Sequence, residues 1–79
     1  MDNETKLVVA GEVRAWLARR QRSGRSVAQE LGWTEIYLNR RIRGLVPFDV
    51  TDLGQLANLL DVPVTVFFER PEVRTINKA

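Results

Sequence analysis

The sequence predicts an all-α fold, a compact bundle of five short helices, and three observations carry that expectation. Apolar residues recur at helical intervals in successive stretches, from Val9 through to Phe68. Glycine and proline interrupt the chain between those stretches, at Gly32, Gly44, Pro47 and Pro63. The length of 79 residues with 44% apolar content suits a single small core.

Helix 1 is expected from about Leu7 to Arg20, with Val9, Val13, Trp16 and Leu17 on one face. Residues 1–6 are polar and expected to be flexible. Gly11 weakens the early turns by about 1 kcal/mol relative to alanine. Trp16 is assigned to the core.

Helix 2 packs through Val27, Ala28 and Leu31, and Ala28 is small enough for a neighbouring helix to approach closely. Ser23 and Ser26 both offer a cap, and Ser26 with Gln29 has capping-box spacing. Ser23 is the expected cap, because the longer helix puts Val27 at its middle. Gly32 ends the helix in a left-handed conformation that glycine adopts without steric cost.

Thr34 caps helix 3, expected from about Thr34 to Arg43, and Glu35 in its first turn suits the macrodipole. Leu38 and Ile42, four apart, point towards helix 2. On a wheel of roughly 100° per residue, Ile36, Asn39, Arg40 and Arg43 fall on the other side, where no core awaits them. Trp33 is expected to close the gap between helices 2 and 3, and Gly44 stops helix 3.

Pro47 prevents the helix from continuing, and Phe48 anchors the loop. Asp49 caps helix 4, whose buried stripe is Leu53, Leu56, Ala57 and Leu60. Pro63 opens a last short turn or helix with Val66, Phe67 and Phe68. Two adjacent phenylalanines cannot both enter one small interior, so one is core and the other an interface residue. The domain is expected over residues 7–69, followed by a tail, 70–79, that is extended or disordered. Two such tails can pair across a dimer axis.

Composition excludes several function classes. The chain holds no cysteine and no histidine, so disulfides, thiol chemistry and the commonest zinc ligands are absent. No glycine-rich phosphate loop and no paired-carboxylate cluster occurs, and helix-start electrostatics accounts for Asp49 and Asp52. No enzyme, cofactor or metal is expected. Apolar runs such as residues 62–68 fall short of the roughly 20 residues that span a bilayer, and MDNETK lacks the basic start of a signal peptide. A soluble cytoplasmic protein, with no membrane association, is the expectation.

Net charge is only +2, but it is unevenly spread. Residues 1–13 sum to −2, residues 14–43 to +6 and residues 44–79 to −2. All eight cations of the middle segment are arginine, which forks onto phosphate or guanine. A positive centre between mildly acidic ends is what a phosphate-facing surface requires.

Ala28, Leu31, Gly32, Leu38 and Gly44, with the polar first turn at Thr34 and Glu35, resemble the helix-turn-helix of lambda-repressor-like proteins, the Cro and phage-repressor family. The segment YLNRRIRGLVPFDVTDLGQLANLLDVPV looks like members from actinobacteria and their phages. The resemblance covers about residues 9 to 68. It implies a lambda-repressor-like five-helix domain that binds an operator in double-stranded DNA, with helix 3 in the major groove. By position in that motif Glu35, Ile36, Tyr37, Asn39 and Arg40 are the base-reading candidates. Glu35 suits a cytosine amino group, Ile36 a thymine methyl, Asn39 an adenine and Arg40 a guanine. Glu35 is equally readable as a helix-dipole partner, and Tyr37 as a phosphate contact through its hydroxyl. The backbone candidates are Arg22, Ser23, Arg25, Thr34, Arg41 and Arg43. Gly24 stands where relatives often carry an amide, and Val46 where some place one further DNA-touching residue.

The resemblance implies a Cro-like transcriptional regulator that represses by occluding an operator, as a monomer or as a homodimer. An antitoxin-type module that also holds a protein and a recombination directionality factor that bends DNA beside an integrase share the same basic centre.

Overall fold

Every α-helix among the described residues begins on a side-chain cap that the sequence itself supplies. A computed structural model describes residues 1–69, which form four α-helices and a closing 3-10 helix with no strand among them. The α-helices are α1 (Asn3–Arg19), α2 (Gly24–Leu31), α3 (Glu35–Ile42) and α4 (Val50–Leu60), and the 3-10 helix is Val64–Phe68. The expected fifth helix is thus this single 3-10 segment. Pro63 opens it in an extended conformation, without a side-chain cap, and five residues are too few for regular α-helical bonding. The tail expected over residues 70–79 lies outside the described residues.

α1 starts earlier than its apolar period suggests. Asp2 caps it, its carboxylate accepting from Thr5 N at 2.7 Å, so Asn3 to Lys6 are helical where a flexible segment was expected. α2 begins on Ser23, whose Oγ accepts from Ser26 N, and ends at Gly32 with φ 76°. α3 begins on Thr34, whose Oγ1 accepts from Tyr37 N. Asp49 and Asp52 form a reciprocal capping box at the start of α4, each side chain accepting from the other's backbone N–H.

One core joins the elements. Val9, Val13 and Leu17 of α1 meet Val27 and Ala28 of α2, Leu38 of α3, Phe48, and Leu53, Leu56, Ala57 and Leu60 of α4. Phe67 closes it and is fully buried, whereas Phe68 is 47% exposed, so the pair divides between interior and surface. Burying a side chain of this size contributes roughly 1.5–3 kcal/mol, which makes the short 3-10 helix a lid on the core. It packs on both α1 and α4. Trp16, Trp33, Leu31 and Ile42 are only partly buried, packed around the edge of the cluster.

The corner after α3 is tight. Gly44 has φ 77°, and a Cβ there would lie 2.8 Å from Leu7 Cδ2. Glycine is needed for its backbone angle, since the close contact falls on the exposed end of a flexible leucine.

Candidate nucleic-acid interface

α3 contributes only one fully buried side chain, Leu38, with Ile42 half-buried a turn later. A short helix held along one line presents most of its circumference elsewhere. Ile36 is 71% exposed, and Asn39, Arg40 and Arg43 are exposed beside it. The outward face read from the helical period therefore exists, and nothing among the described residues covers it.

The start of α2 borders that face. A Cβ added at Gly24 would stand 3.7 Å from Leu38 Cδ2, so the first turn of α2 lies against the middle of α3. Between them runs an open groove lined by Gly24, Arg25, Glu35, Ile36 and Asn39, with Leu38 and Ile42 beneath. The N–H groups of Gly24 and Arg25 occupy the first two positions of α2, where a helix supplies no acceptor of its own. Ser23 and Thr34 accept in their caps and keep their hydroxyl hydrogens to donate. The groove rim thus offers donors suited to an anionic ligand.

The eight central arginines divide into two groups. Arg14 donates to the carbonyl of Ile42 at the end of α3. Arg20 donates through Nε to the carbonyl of Leu60 at 2.8 Å and so closes the end of α4. Arg22 pairs with Glu30 and with Ser26, both at 2.9 Å. Arg19 lies over the Trp16 ring, 4.7 Å from its centroid. Arg41 stacks on the ring of Tyr37 at 3.5 Å. Only Arg25, Arg40 and Arg43 are exposed with no hydrogen bond, ion pair or ring contact among the described residues. Much of the positive centre therefore caps helices and covers rings.

Two candidates from the sequence face elsewhere for a physical reason. Tyr37 is turned from the outward face, because its hydroxyl donates to the Asp52 carboxylate, 2.9 Å from Oδ2 and 3.0 Å from Oδ1. Its ring also meets Trp33, with centroids 5.2 Å apart. Arg41 follows it one turn on. Its Nη1 donates to the carbonyl of Tyr37 at 2.9 Å, and its Nε lies 3.7 Å from Asp52 Oδ2, too far for a hydrogen bond. That Nε–H is buried without a partner among the described residues. Arg22, held by Glu30 and Ser26, is likewise engaged within the protein. Glu35, Ile36, Asn39, Arg40, Ser23, Arg25, Thr34 and Arg43 are all exposed, and Glu35, Ile36, Asn39 and Arg25 line the groove.

Sequence reasoning missed Asp52 as more than a helix-start acid. It is buried, 5% exposed, and its carboxylate accepts from the Tyr37 hydroxyl and from Asp49 N while facing Arg41. The hydrogen bond to that carboxylate, with burial and its negative charge, pushes the Tyr37 phenol above its ordinary value. The available signal was the position of Tyr37 and Arg41, four apart and on neither the apolar nor the outward side of α3.

Among the described residues no cluster of three or more His, Cys, Asp or Glu side chains is placed to hold a metal ion. None of their helices is long and apolar enough to cross a membrane.

The arrangement of four α-helices and a closing turn is a fold seen in a solved protein. The chain superposes on the crystal structure of a hypothetical transcription factor, NHTF, from Neisseria, with a TM-score of 0.84 over 98% of this chain and 90% of that one. The two are 18% identical, so the likeness is one of fold. No protein-family model matches the chain, and no curated protein matches it in sequence.

Proposed function

We propose that this chain is a sequence-specific transcriptional regulator that binds double-stranded DNA through a lambda-repressor-like helix-turn-helix made of α2 and α3. It acts as a binding protein and not as an enzyme. The uncovered face of α3, Ile36, Asn39, Arg40 and Arg43 beside the donor-rich start of α2, is the observation that carries the reading. A helix fits the major groove of B-DNA, about 12 Å wide, and its first turns meet base edges. Ile36 then packs on a thymine methyl, Asn39 pairs with adenine and Arg40 forks onto guanine, with Glu35 at the groove edge. Arg25, Arg43, the hydroxyls of Ser23 and Thr34, and the first N–H groups of α2 hold phosphates. The fold shared with a protein described as a hypothetical transcription factor supports the same reading.

Regulation is Cro-like: occupancy of an operator excludes polymerase or a competing repressor. In a homodimer, two copies would sit on half-sites about 34 Å apart. The exposed apolar side chains of Leu7 and Phe68 favour a second reading, a DNA-binding module that also holds a protein. A partner that co-purifies stoichiometrically decides for it.

The test is selection of a preferred duplex from a random library, followed by fluorescence anisotropy on that duplex and a scrambled one. Wild type is expected to favour the selected duplex by roughly 10³-fold or more. Arg40→Ala should narrow that preference, and Arg43→Ala should weaken both duplexes alike. No enrichment, with both duplexes bound no better than about 10⁻⁴ to 10⁻⁶ M, sinks the proposal.

A further inference from the structure

α3 is eight residues long and is pinned into the core by Leu38 alone, with Ile42 half-buried on the same line. Apolar packing along one line resists lifting but resists rolling weakly, because it has no direction about the helix axis. A second anchor is needed to fix the roll. At about 100° per residue, Tyr37 and Arg41 sit roughly 100° from Leu38 and Ile42, and roughly 130° from the centre of the outward face. Both converge on one group, the buried carboxylate of Asp52.

That carboxylate is itself anchored. It occupies the third position of α4 and accepts from Asp49 N, so it belongs to the first turn of a helix rooted in the core by Leu53 and Leu56. Arg41 is held twice more, on the Tyr37 ring and at the Tyr37 carbonyl.

We infer that Asp52 is a specificity-determining positioning residue, which sets the rotation of α3 about its own axis and so which side chains meet base edges. The inference rests on the DNA-reading role proposed for α3. A roll of about 20° carries a side-chain tip 5–6 Å from the axis sideways by about 2 Å. Hydrogen bonds to base edges tolerate only a few tenths of an ångström, whereas phosphate contacts through long arginine side chains adjust. Loss of the clamp therefore falls on discrimination and leaves general affinity largely intact.

The experiment compares wild type, Asp52→Asn and Tyr37→Phe at a temperature where circular dichroism shows each fully folded. Affinities are measured for the duplex selected by wild type and for a scrambled duplex. The phenol is titrated by ultraviolet absorbance, which reports on Tyr37 alone because the chain has a single tyrosine. In Asp52→Asn the preference for the selected duplex should fall roughly tenfold or more, the scale of one misplaced base contact. Affinity for the scrambled duplex should stay within about twofold, and the phenol midpoint should drop towards about 10. Tyr37→Phe keeps the capping box and the ring under Arg41, and should lose an intermediate part of the preference. If Asp52→Asn does not fold, Tyr37→Phe carries the comparison of duplexes, and an unchanged preference in it overturns the inference.

An unchanged preference alongside a lowered phenol midpoint overturns the inference. So does equal loss on both duplexes, or a wild-type phenol that titrates at its ordinary value. A library from which wild type selects nothing overturns the DNA-reading role itself, and the phenol titration then still tells whether the Tyr37–Asp52 bond exists.

Discussion

Salt dependence separates the arginines that face a ligand from those that build the protein. A cation that neutralises a phosphate releases condensed counterions and adds about −0.9 to the slope of log K against log salt. If all eight central arginines faced phosphate, they would contribute about −7 between them. The structure leaves far fewer in place, with Arg25 and Arg43 exposed beside the groove and unpaired, while Arg14 and Arg20 are bonded to the carbonyls that end α3 and α4. Arg25→Ala and Arg43→Ala should each flatten the slope by about 0.9, and the double variant by about 1.8. Between about 50 and 200 mM salt, each contact then accounts for about a 3.5-fold share of the weakening, and the pair for about 12-fold. Arg14→Ala and Arg20→Ala should leave the slope unchanged and instead lower stability by about 1 kcal/mol each, through loss of a charged partner at a helix C-terminus. Anisotropy titrations on one duplex at four or five salt concentrations, with urea melts on the same variants, read both quantities. If Arg14→Ala and Arg20→Ala flatten the slope as much as Arg25→Ala and Arg43→Ala do, the division of the arginines is wrong.

Three further outcomes test the fold around the site. Gly32→Ala and Gly44→Ala both force a left-handed alanine and should each cost about 1 kcal/mol by urea denaturation, because the close contact of a Cβ at Gly44 falls on the flexible, half-exposed end of Leu7, which turns aside. Phe67→Ala should cost about 3–5 kcal/mol and approach unfolding, whereas Phe68→Ala, at 47% exposure, should stay within about 0.5 kcal/mol by thermal melting. Because Tyr37 is raised in the folded state, the native protein holds its proton to higher pH than the unfolded chain. Its contribution is full below the unfolded value of about 10 and is lost as pH climbs from there through the folded value. Tyr37→Phe should therefore flatten the alkaline fall in stability, as read by urea melts from pH 9 upward.

The parts of the fold legible in the sequence were those decided locally. Ser23, Thr34 and Asp49 cap their helices as their chemistry predicts, because a cap is a contact between neighbours in sequence. The outward face of α3 was legible for the same reason: a helical period places Ile36, Asn39, Arg40 and Arg43 together whatever the rest of the chain does. Asp2 was an equally local signal, overshadowed because the apolar period begins only at Leu7. What escaped was tertiary. The bond from Arg14 to Ile42 spans 28 residues and that from Arg20 to Leu60 spans 40, and no spacing rule distinguishes a cap at that range from a phosphate ligand. Tyr37 and Asp52 fail likewise, since each looked complete alone, one as an aromatic on a reading helix and the other as an acid in a first turn.

α3 keeps its anchors and its outward side chains on separate sectors of one short cylinder. Leu38, Tyr37 and Arg41 hold it, and the side chains of Ile36, Asn39 and Arg40 are exposed and make no hydrogen bond or ion pair among the described residues. If α3 reads DNA as proposed, such a layout lets target preference drift under mutation while the scaffold's folding equilibrium stands still. For an engineer, it marks those three positions as ones to randomise together when retargeting the protein, with Asp52 and its two partners left untouched.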